Sequence, residues 1–556
     1  MNRVNLLFKK RLRWTYFLCC CLLLLVACSE TNDKKSTNNL KQVLHLVSSA
    51  DNTALDIALP NDNPIDHTYH SGTIHTQVNE GLFRLSKDGK SYEPALAENV
   101  EISNDQKTYT FTIRKNAKWS DGQAITARDF EYGWKRTIDP KLQSKYTFPF
   151  AEANIENAAD IIAGKKNPEQ LGVFVQNNKL IVKLSNHTPY LKTMLSFPSL
   201  FPQRKDIIEK YGASYAKNPQ NMVYSGPFTL TAWDPKKGWT FAKNEQYWNK
   251  EQVQLEKIHV QVLKNPLQAL ALYKAGKLDR LVLPMDSDFS KIKKAENIVK
   301  YNEPTIEFLR LNQKNTLLNN RNIRESLAMA INKDNLTRAL GPQFRTLNHI
   351  VPDDLVTDEK GVDYTNKIPP IHSFNPETAN NKFKQGVSEL GVSEKQTIEL
   401  LINNTSKNQQ AGNLIKEQLE RSIPNLTIHL KEMPLLDKIK LEQQGNYDLS
   451  LALWGADTTD PATFLNLWRE KNPYNMQGYK NEEVEKLIDE GQQALTLAQR
   501  LEKFSQAEIL YLQDVVIVPL YQHEVYELQN PTIKNFQRTK SLGSEYQLKY
   551  TYMFTK

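Results

Sequence analysis

The sequence predicts an α/β chain folded into more than one lobe, and three observations predict it. Strands show as two-residue alternation: Tyr109, Phe111 and Ile113 share one face of 107–113, and Ile258, Val260 and Val262 share one face of a second segment. Helices show as four-residue steps, in Ile323, Leu327 and Ile331 and again in Val484, Leu487 and Ile488. Both stripes read as core. The two periodicities interleave without an internal repeat, and 556 residues at 40% hydrophobic content bury two or three cores rather than one.

The chain opens with a basic stretch, an apolar run from Phe17 to Ala27 and then a cysteine. That run is a signal h-region, too short to span a bilayer. Residues 1–27 therefore read as a signal peptide. The polar segment 28–40 reads as a flexible tether of about 40 Å at most, and the fold begins near Lys41 with a first strand at 43–47. The formal charge of +8 includes Arg3, Lys9, Lys10, Arg11 and Arg13; without them the chain is nearly neutral and has no basic tract for nucleic acid. Cysteines occur only at 19, 20, 21 and 28, so the chain after the signal contains neither a disulfide nor a cysteine-based metal site.

No nucleophile elbow, zinc-protease helix or dinucleotide loop is present, so nothing points to an enzyme and no cofactor is expected. His67, His70 and His75 read as loop histidines rather than metal ligands. The informative stretch is 448–464. Leu449 to Trp454 is a short apolar run between Gly445-Asn446 and Gly455, and its length favours a core strand. Asp460-Pro461 then reads as a helix start, with Asp460 as the cap. Asp457 is left over from capping, in a place suited to a ligand's cation.

Ala95-Leu-Ala-Glu-Asn-Val100, Trp119-Ser-Asp-Gly-Gln-Ala-Ile-Thr-Ala-Arg-Asp-Phe130, Asn79-Glu-Gly-Leu82, Ser225-Gly-Pro-Phe228, Tyr247-Trp248 and Gly478-Tyr-Lys-Asn481 resemble the signature of bacterial oligopeptide-binding proteins. These are extracytoplasmic solute-binding proteins that feed ABC importers. Leu25-Val-Ala-Cys28 resembles the bacterial lipobox. The resemblance implies a two-lobed periplasmic-binding-protein-like (type II) fold with a hinge and an additional domain. Carried over, domain I is 41–75, 206–305 and 520–556, domain II is 76–205 and domain III is 306–519.

It also implies a lipid on Cys28, a monomer on the outer face of the cell membrane, an oligopeptide ligand and a permease partner. Trp454, Gly455, Ala456 and Asp457 would meet the peptide, Asp457 taking its α-ammonium. A pheromone receptor, or a binder of haem or nickel, is the rival reading on the same fold. Where family members carry basic residues or aromatics, this chain has Glu442, Gln443, Leu451, Thr458 and Pro434. These departures lead to the expectation that Glu442 repels a ligand carboxylate and that the C-terminus is not clamped.

Overall fold

The computed structural model describes residues 41–49, 51, 54–59, 70–89, 91–284, 297–539 and 544–554. The signal segment, Cys28, the tether and His67 lie outside them, and no helix of the described residues is long and apolar enough to cross a membrane.

One lobe is built on two four-stranded sheets. The first has the order Val43–Ser48, Lys257–Val262, Gly238–Lys243, Phe228–Asp234, with the first pair parallel and the others antiparallel. The expected face of Ile258, Val260 and Val262 is buried, packed with Leu44 and Phe241. The second sheet, Ala97–Ile102, Thr108–Ile113, Lys179–Lys183 and Val173–Gln176, is antiparallel. Tyr109, Phe111 and Ile113 face its core, against the helix Ala127–Ile138 that brings Phe130 and Trp134.

The other lobe is a seven-stranded sheet with helices on both faces. Its order is Arg280–Val282, Ile517–Gln529, Ile298–Leu311, Leu449–Gly455, Gln396–Asn403, Leu426–Met433, with Phe344–Thr346 also paired to Ile517–Gln529. Leu309, Leu311, Leu449 and Leu451 bury one face under the helices Arg321–Met329 and Ser406–Ser422. Ile306, Phe308 and Ala452 bury the other under Glu482–Gln493 and Leu497–Gln513. Both predicted helical stripes, Ile323-Leu327-Ile331 and Val484-Leu487-Ile488, pack into these cores. Ile298–Leu311 and Ile517–Gln529 pair antiparallel along most of their length. Their register breaks between Asn302 and Ile306.

Within the first lobe, three of the motif stretches meet at one carboxylate. Glu80 is 2% exposed; its oxygens accept from the Tyr247 hydroxyl at 2.5 Å and from Trp248 Nε1 at 2.6 Å, and it pairs with Arg84. The Glu80 N–H donates to Ser225 Oγ at 3.0 Å, and Gly226 N–H to Val78 O at 2.9 Å. A Cβ on Gly226 would stand 2.6 Å from the Asn79 nitrogen, so only glycine allows this approach. Burial opposes the charge on Glu80. Arg84, Lys549, Tyr247 and Trp248 outweigh it and hold the carboxyl below its usual range.

Glu80→Ala leaves the buried Arg84 without its carboxylate, a change that typically removes about 3–5 kcal/mol. Urea unfolding should show a loss of that order. A loss within about 0.5 kcal/mol, the range of an ordinary surface substitution, would contradict the assignment.

Candidate functional site

The strand Leu449–Gly455 forms where the sequence places it and owes its role to an incomplete neighbour. On one side it pairs with Ile298–Leu311 through its whole length, from Leu449 opposite Leu311 to Gly455 opposite Thr305. On the other side it pairs with Gln396–Asn403 only at Leu449 and Ser450. Ala456 N–H donates to Pro304 O at 2.8 Å, which fixes the alternation of main-chain directions. Even-numbered residues point their N–H and C=O at Ile298–Leu311; odd-numbered ones point away. Leu453 and Gly455 therefore present main-chain groups at an edge with no strand beside it among the described residues. Leu453 is 40% exposed there. Trp454 packs edge-on against Tyr474, with ring centroids 4.7 Å apart.

Asp457 follows this free edge and is half-buried. Its N–H donates to Thr463 Oγ1 at 2.8 Å, but that hydroxyl reaches the carboxylate only at 3.5 Å. No cationic side chain pairs with it among the described residues. Burial raises its pKa from 3.8 to about 7; the charge of Glu152 adds to the rise, and the weak Thr463 contact opposes it. The group is a half-buried carboxyl with no counterion among the described residues.

The helix starts one residue later than expected, Ala462–Leu465 with Pro461 at the cap position; Asp460 lies before it, its Oδ1 accepting from Ala462 N–H at 2.9 Å. It also does something the sequence does not show. Both oxygens grip the buried Arg500, at 2.8 Å to Nε and 2.9 Å to Nη2. The guanidinium lies 5.3 Å from the ring of Tyr190, which belongs to the other lobe and donates its hydroxyl to Glu152 O at 3.0 Å. Glu152, Tyr190, Arg500 and Asp460 thus form a seam between the lobes, and Asp457 sits next to it.

The structure brings Trp454, Gly455, Ala456 and Asp457 to this edge, although Ala456 turns its N–H to Pro304 and its side chain into the core. Three expectations are corrected. Glu442 faces no groove: it is buried, bonded to Lys438 Nζ at 2.9 Å and to Ser450, and neutralised there, so it repels no ligand. Leu451, at a position where family members carry a basic residue or an aromatic beside the ligand, lies instead in the core under the first face of the sheet, and Lys438 turns to the Leu451 carbonyl at 2.9 Å. His75 lies in the helix His70–Val78 rather than in a loop; burial lowers its pKa to about 4, against a weaker opposing effect of Asp56.

Sequence reasoning missed Glu152, Tyr190, Tyr474 and Arg500. Glu152 and Tyr190 reach the site across the lobe boundary, Tyr474 from a turn and Arg500 from the helix Leu497–Gln513. No local periodicity marks them.

The family "Bacterial extracellular solute-binding proteins, family 5 Middle" matches residues 91–476. A dipeptide-binding protein of Lactococcus lactis is 29% identical over 513 residues, covering 88% of this chain and 92% of that protein. The structure of Listeria monocytogenes OppA bound to peptide is 34% identical with a TM-score of 0.71, covering 93% of this chain and all of that one. The pheromone receptor PrgZ, solved for its mode of peptide binding, is 29% identical with a TM-score of 0.72 and the same coverage.

The raised pKa of Asp457 has a sign that can be checked. Between pH 4 and 7 the unfolded chain ionises this carboxyl before the folded one does, so it lowers stability as pH rises through that window and then has a constant effect. Ligand-free Asp457→Asn should match the wild-type melting temperature near pH 4 and exceed it at pH 8. An equal or lower melting temperature at pH 8 would show that the carboxylate has a partner after all.

Proposed function

The chain belongs to the bacterial extracellular solute-binding proteins of family 5, and on that premise we propose that it captures oligopeptides between its two lobes and delivers them to the membrane permease of an ABC importer. The observation that carries this reading is Asp457, an unpaired carboxylate next to the free edge of Leu453 and Gly455. A carrier of many peptides binds what they share. A bound chain adds as a strand to that edge, which takes its main chain without regard to sequence. Asp457 then takes the α-ammonium, whose burial without a carboxylate would cost several kcal/mol. Trp454 and Tyr474 flank the first residues.

The division into domain I (41–75, 206–305, 520–556), domain II (76–205) and domain III (306–519) is ours. The register break between Asn302 and Ile306 supports a hinge at the crossing from I to III. The reading involves no catalytic step and no cofactor, and the protein acts as a monomer. PrgZ supports a second reading, a receptor for one peptide signal, on the same site.

A ligand series tests the ammonium assignment. Asp457→Asn keeps the shape and removes the charge, a truncation that typically costs about 2–5 kcal/mol in a buried pair. Acetylating the peptide should weaken binding to wild type by a similar amount, and the two losses should not add. Equal affinity for free and acetylated peptides rules out the role of Asp457.

Localisation is tested separately. Cys28 would carry a diacylglyceryl group, whose two chains hold a protein where one chain anchors only marginally. Cys28→Ala should release the protein from the membrane or leave an unprocessed precursor. Normal processing with full membrane retention would exclude the lipid anchor.

A further inference from the structure

At the Tyr190–Arg500 contact a cavity of about 740 Å³ opens between the lobes, with Glu152, His187 and Tyr190 on one wall and Asn466, Gln492 and Arg500 on the other. Its size is that of a ligand site, and its lining is polar. Most of the charged groups around it already have an ion-pair or hydrogen-bond partner. Arg500 is paired with Asp460, and Asp489 with Arg469 at 2.7 Å. Lys107 turns its ammonium to Ser185 O at 3.1 Å, and Asp105 accepts from the Ser103 hydroxyl and from Lys107 N–H. Burial keeps His187 below its ordinary pKa and so uncharged at neutral pH.

Glu152 is the exception. It ends the helix Phe148–Glu152; its carbonyl takes the Tyr190 hydroxyl, while its carboxylate has no ion pair or hydrogen bond among the described residues. Its lobe meets the other where Tyr190 lies against Arg500, which is held by Asp460, three residues after Asp457; its charge also helps raise the pKa of Asp457 and of Tyr474. The Glu152 side chain is exposed to the cleft; enclosure by the two walls, and the charge of Asp460 after it, raise its pKa.

We propose that this cavity receives the side chain of the ligand's first residue and that Glu152 selects lysine or arginine there. Each lobe then supplies one carboxylate: Asp457 holds the α-ammonium and Glu152 the side-chain cation. The inference rests on the peptide reading and deepens it by naming a specificity. Two carboxylates facing each other across a closing cleft repel, and a dicationic first residue removes the repulsion at both. The space left around a lysine chain accommodates water, so other first residues still bind, more weakly.

Isothermal titration with pentapeptides identical except at the first residue, carrying lysine, norleucine or glutamate, separates the outcomes. Wild type should bind the lysine peptide about tenfold more tightly than the norleucine peptide and reject glutamate further. Glu152→Gln should bring the lysine-to-norleucine ratio close to one while leaving norleucine affinity unchanged or improved. Asp457→Asn should weaken lysine and norleucine peptides alike and preserve their ratio. A wild-type ratio near one, or a ratio that survives Glu152→Gln, overturns the selection while leaving peptide binding in place. Failure of all three peptides to bind overturns the peptide reading and this inference with it.

Discussion

The buried carboxylate of Glu80 is the constraint on which the first lobe depends. A charge 2% exposed is tolerable only where every oxygen is satisfied, and here Arg84, Tyr247 and Trp248 satisfy it. Meeting that requirement brings together three distant stretches, 79–84, 225–228 and 247–248. Lys549 completes the surroundings from near the chain's end, its ammonium lying 4.8 to 5.4 Å from the rings of Tyr550, Trp248 and Tyr247. Burial and the repulsion of Arg84 lower its pKa to about 7, against the pull of Glu80 and Glu93. The motif stretches at 79–82, 225–228 and 247–248 thus form the internal seam of the lobe rather than its ligand surface.

The proposed ligand side follows the opposite rule. At Glu80, Asp460 and Glu527 a buried carboxylate meets a buried arginine, and the fold closes around the pair. Asp457 and Glu152 face the cleft with no such partner. A site that left its charges fully paired would hold nothing else. One that left them fully exposed would gain little from a ligand cation, because water screens the pair. At Asp457, partial burial makes the missing cation valuable without unfolding the loop that carries the carboxylate.

How much of this was legible in the sequence depends on distance along the chain. The alternation at Tyr109-Phe111-Ile113 and the four-step runs at Ile323 and Val484 are local patterns, and each became the element it implied. Asp457 was legible by subtraction, since the run 449–454 needed a strand and Asp460 a cap. Arg500 and Tyr190 were not, because the contact that gives them meaning crosses the lobes. Lys438 and Glu442 are a helical i,i+4 pair, a spacing seen mostly on solvated faces. Only the packing of their helix against Ser450 shows that the pair is buried and faces no ligand.

Pro304 lies within the register break of the paired strands Ile298–Leu311 and Ile517–Gln529. A proline offers no N–H, so at this point the strand can hold its neighbours only through a carbonyl. That carbonyl is taken by Ala456, the residue before Asp457. The irregular stretch of the ribbon and the loop bearing the unpaired carboxylate therefore share one mechanical joint. Torsion at the break is thus carried to the residue before Asp457 by this bond as well as by the ladder that starts at Thr305 and Gly455.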